Sequence, residues 1–131
     1  MKKAILAISA ALILAGPQPA LAAEAATYDD AIRCASVDTL ISAVIGGDNA
    51  SAEDKATSEY YDSVTDKWLT RASEARPDSA LTDYLTKSTT LAEKLANASN
   101  EDEMMGLLIV DLLTCTQLEQ ATFGTSPPGF E

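Results

Sequence analysis

Few residues of this sequence could do chemistry, and four of them share a spacing. Asp38 follows Cys34 by one helical turn, and Asp111 precedes Cys115 by one turn. If the cysteines bond across helices of opposite direction, the two carboxylates arrive side by side at one level. Two carboxylates in one site resist ionising together, so such a pair raises one pKa or binds a cation. The plainer reading leaves Asp111 at a bundle edge, or beside Arg33, Lys67 or Arg71, because a lone acid in a helix is usually paired or solvated. Calcium needs about six or more oxygens. No loop offers them, so no metal is expected.

The residue types that are missing narrow the chemistry further. The chain has no histidine, which removes the Ser-His-Asp triad, histidine acid–base catalysis and histidine-ligated haem. It also removes the Glu-x-x-His ligands by which helical bundles hold paired metals. There is no CxxC for redox exchange or c-type haem, no S-x-x-K acylation motif and no glycine-rich phosphate loop. The sequence therefore predicts a non-enzyme without a cofactor. Tyr60, Trp68 and Tyr84 could line a small-molecule pocket between helices. Aromatics at helical spacing are more often core.

Four helical segments position these residues. Thr27 caps the first, with Asp29 and Asp30 at the positive end of its dipole. Cys34, Val37, Ile41, Val44 and Ile45 form its apolar stripe, and Gly46-Gly47 ends it. Ser51-Ala52-Glu53-Asp54 resembles a capping box and opens the second. Its stripe of Ala56, Tyr60, Val64, Trp68, Ala72 and Ala75 stops at Arg76-Pro77. Asp78 or Ser79 starts the third, whose face is Leu81, Tyr84, Leu85, Ser88, Leu91, Leu95 and Ala98. The fourth runs from Glu101 to Ala121. Apolar on most of its circumference, it is expected at the centre of the bundle, enclosed by the others. The expected fold is all-α, an up-down-up-down four-helix bundle closed by a Cys34–Cys115 disulfide.

The organisation expected is a signal peptide over residues 1–22, a helical bundle over 23–121 and a flexible tail over 122–131. Lys2 and Lys3 precede an apolar run from Ala4 to Ala15, Gly16-Pro17 breaks it, and Ala20-Leu21-Ala22 supplies a cleavage signal. A bacterial periplasmic or secreted location follows, with no membrane span after cleavage. The formal net charge is −11 over 131 residues, and losing Lys2 and Lys3 makes it more negative still. Such a surface repels nucleic acid and anionic lipid.

These features predict a non-enzymatic interaction or stress-associated protein with an unidentified protein partner. The alternative is a carrier of an apolar ligand in a pocket between helices. A pH-driven variant of the first has acid protonating the carboxylates and unfolding the bundle to expose apolar surface.

Overall fold

The computed structural model describes residues 26–129, and the expected signal peptide lies outside them. Four helices make up the described chain: α1 Tyr28–Ile45, α2 Ala52–Ala75, α3 Ala80–Ala96 and α4 Glu101–Phe123. The caps expected for α1 and α2 are formed. Thr27 Oγ1 accepts from the Asp30 amide while Asp30 Oδ2 accepts from the Thr27 amide, both at 3.0 Å. Ser51 Oγ accepts from the Asp54 amide at 3.0 Å. At α4, Asn100 accepts from the Glu103 amide and Glu103 reaches back to the Ser99 amide, both at 2.9 Å. These bonds satisfy amides that have no partner inside a helix.

Gly46 ends α1 for a reason other than a left-handed cap. Its φ is −98°, open to any residue, but a Cβ there would collide with Ser58 Oγ and stand 2.8 Å from the Ser42 carbonyl. The glycine lets α1 and α2 approach closely. Ser42 Oγ uses that approach to bond Asp62 Oδ1 at 2.6 Å.

The helix at the centre is α1. Nine of its 18 residues are buried, Ala31, Cys34, Ala35 and Ser36 among them. Only Leu108, Cys115 and Glu119 are buried among the 23 residues of α4. This corrects the expectation that the most apolar segment lies at the centre. Small side chains allow neighbours to pack on several sides of α1, whereas the leucines and isoleucine of α4 cannot all find partners.

Side-chain contacts show how α1 is surrounded. Its C-terminal part meets the start of α2 through Ser42 and Ser58, and Ala26, just before it, accepts from Arg71 near the end of α2. On α3, Tyr28 donates to Asp83 at 2.6 Å, and Ser88 donates to Ser36 at 3.1 Å.

The fourth helix lies across α1 rather than alongside it. Leu108 packs with Leu91 and Leu95 of α3, Cys115 is bonded to Cys34 of α1, and the Phe123 ring meets Trp68 of α2. The contacts of α4 thus pass from one flank of α1 to the other, riveted midway by the disulfide (Cα–Cα 5.4 Å).

The helix also continues past Ala121 to Phe123, whose ring lies 4.7 Å from Trp68 and edge-on to it. Gly124, at φ 71°, terminates it in the left-handed region. Part of the expected flexible tail is docked. Thr125 meets the Tyr60 hydroxyl at 3.4 Å, and Pro127 is fully buried.

Candidate functional site

The crossing of α1 by α4 brings two acids together in the core. Asp38 and Glu119 each lie four residues after a bonded cysteine, and both are 0 % exposed. Glu119 is held by two donors, the Tyr60 hydroxyl to Oε1 at 3.2 Å and Trp68 Nε1 to Oε2 at 3.3 Å. Neither oxygen of Asp38 meets a donor. Its neighbour is the Glu119 carboxyl, itself an acceptor, and only a proton can join the two. Burial first, and then Glu119, push the Asp38 carboxyl far above the usual carboxylate range. An ionised Asp38 would be a buried charge without compensation, which is costly. Asp38, the member without a donor, is thus the one whose surroundings favour keeping its proton, which would lie between the two carboxyls.

Two tyrosines feel this negative site. Burial chiefly, with Asp38 and Glu119 adding to it, pushes Tyr61 up to about 12. Burial likewise raises Tyr60 well above its ordinary value, against the lowering effect of its bond to Thr125. Both hydroxyls stay neutral, so Tyr60 remains a donor. The site is one shared proton enclosed by Tyr60, Trp68 and the carboxyl pair. Both acids are sealed from solvent.

Asp111, placed either beside Asp38 or, on the plainer reading, at a bundle edge, is only half-buried, and the carboxyl that faces Asp38 is Glu119, two turns further along α4. Opposite directions for α1 and α4 would put Asp111 at the level of Asp38. When two helices cross instead, one turn beyond each cysteine leads to the same neighbourhood, so the informative spacing was the repeated Cys-x-x-x-acid.

Of the aromatics, Tyr60 and Trp68 share Glu119, whereas Tyr84 meets Thr39 Oγ1 at 2.7 Å. Trp68 is fully buried against Phe123, so it is a core residue. A shallow groove of about 340 Å³ lies on the far side of that contact, lined by Asp66, Lys67, Thr70, Arg71, Glu74 and Phe123. Among the described residues no group of three or more acids, cysteines or histidines could hold a metal.

A second feature occupies the outer side of α4. Met105, Leu107, Ile109, Val110 and Leu113 are 39–68 % exposed. Gly106 sits among them, exposed, with nothing within 4 Å of where its Cβ would be. A glycine inside a helix costs about 1 kcal/mol relative to alanine, and no contact within the chain offsets it. The sequence showed the apolar run but not which side of it would be left uncovered.

No helix among the described residues is long and apolar enough to cross a membrane. Together with the oxidised Cys34–Cys115 pair, this is compatible with an extracytoplasmic location. Compared with protein-family models, with curated proteins and with solved structures, the chain matches none.

Proposed function

We propose that the protein is an exported, non-enzymatic interaction module whose contact face is the outer side of α4. The observation that carries this is the set of five large apolar side chains left 39–68 % exposed on one helix. Supporting it, the acids that could form a reactive pair are enclosed, while the surface that could attract a partner faces outward. Burying apolar area is the main drive of protein association, and α4 presents it on a helix tethered covalently to the core. A ridge of this shape suits an apolar groove or another helix.

The test places benzoylphenylalanine at Leu113 in the exported protein and irradiates cells. A discrete cross-linked adduct is expected, and it should disappear when Val110→Glu is added. Irradiation that yields no adduct, or an adduct indifferent to Val110→Glu, removes the proposal.

A further inference from the structure

Resting on the reading of α4 as the contact face, we infer that its occupant is a second copy of this chain. The two α4 helices would dock antiparallel about a two-fold axis passing between Ile109 and Val110. The outer stripe is self-complementary in that register. Ile109 of one copy meets Val110 of the other, and Leu113 of one lies over Gly106 of the other. The glycine then has a role it lacks inside one chain: its bare backbone receives a leucine. A closed two-fold pairing of identical surfaces is the commonest form of association.

Charge opposes a second copy over most of the surface and least in this register. The chain carries a net −11, so two copies repel over most approaches. From Met104 to Leu118 the single charged residue is Asp111, half-buried at the side of the stripe. The acids that begin α4 do not oppose one another, because Asp102 of one copy falls opposite Gln117 of the other and Glu103 opposite Thr116. A partner recognised by its positive charge would settle on the acidic surfaces instead. Interfaces below about 1,200 Å² in total are typical of weak, reversible association. A contact confined to about three turns of one helix falls in that class, so the dimer dissociates at micromolar concentration.

Sedimentation equilibrium of the purified, oxidised protein at about 5–200 µM tests this, in a range that brackets a weak interface. A monomer–dimer equilibrium is expected, and it should tighten as salt screens the like charges. Gly106→Leu should weaken the dimer by roughly tenfold or more. The same substitution should leave the melting temperature of dilute protein unchanged or raised, since it enters open space and favours helix. Benzoylphenylalanine at Leu113 should then give an adduct of twice the chain mass. A wild-type protein that stays monomeric throughout, with its position-113 adduct formed to a different protein, overturns the second copy but leaves the contact face standing. A dimer indifferent to Gly106→Leu overturns the pairing. Absence of any adduct, in cells or with purified protein, overturns both.

Discussion

The two halves of α4 are opposites. From Met104 to Leu113 the helix exposes apolar side chains to solvent, and from Cys115 to Phe123 it carries an acid into the core. The first half has gained little from folding, while the second has desolvated a carboxylate and supplied it with Tyr60, Trp68 and a proton held by Asp38. The contrast teaches that mean hydropathy did not decide the place of this helix. Size and a covalent bond did. Small residues let α1 take the centre, and the disulfide then fixed where α4 could cross it. Each half departs from the apolar-inside pattern in its own way. The buried half is resolved within the molecule, by the shared proton. The exposed half is not.

The largest effect is expected at the disulfide between the halves. Replacing both Cys34 and Cys115 by alanine should cost about 4.5 kcal/mol by the loop-entropy relation, for a bond joining residues 81 apart in sequence. Because so few residues of α4 are buried, hydrogen exchange should rise first across residues 101–123 while α1 and α2 stay protected. Equal loss of protection in all four helices would show that α4 is better held than its burial suggests.

A smaller effect is expected from the buried half alone. Glu119→Ala leaves the Tyr60 hydroxyl, Trp68 Nε1 and the Asp38 carboxyl without their shared acceptor, at a cost of about 2–3 kcal/mol in urea unfolding. A loss below about 0.5 kcal/mol, the usual size of a surface change, would mean the acid is not held as described.

Asp38 gives a pH signature. Its folded pKa lies above the ordinary value of 3.8, so the folded state binds a proton that the unfolded chain has released. The contribution is complete below that value and is lost as pH rises through the neutral range toward the raised folded pKa. For one proton the slope is at most about 1.4 kcal/mol per pH unit. Asp38→Asn can donate to Glu119 without titrating, so it should flatten this slope and raise the melting temperature at pH 8. The sign of this one group is opposite to that of acid-driven unfolding, and among the described residues the one ion pair is the part-buried Arg33–Asp30.

The smallest effect belongs to the exposed half. Leu113→Ser should change the stability of dilute protein by no more than about 0.5 kcal/mol, although Leu108, five residues away, is 1 % exposed and its loss to alanine should cost about 2–5 kcal/mol. Thermal melts of both variants at low concentration check the pair.

Much of this fold was legible in local chemistry. Thr27 and Ser51 announced their helices because a capping hydroxyl acts within three residues, and Pro77 marked the end of α2 through its effect on Arg76. The disulfide followed from two cysteines in a chain that reads as exported. The packing order was not legible. A stripe of Ala31, Ala35 and Ser36 looks weak beside Leu107-Leu108-Ile109-Val110, yet smallness is what admits neighbours. Glu119 was missed because crossing direction, which no local pattern encodes, decides whether Asp38 meets the acid before Cys115 or the one after it.

The bond between α1 and α4 has a further consequence. It makes a closed covalent loop of everything from residue 34 to residue 115, including the connections at Gly47–Ala50 and Pro77–Ser79. A peptidase cutting either connection opens that loop without releasing a fragment, and the nicked molecule, heavier only by the water of hydrolysis, stays in one covalent piece until a reductant arrives. Clipping and shedding are thus separate events, and the second waits on thiol chemistry.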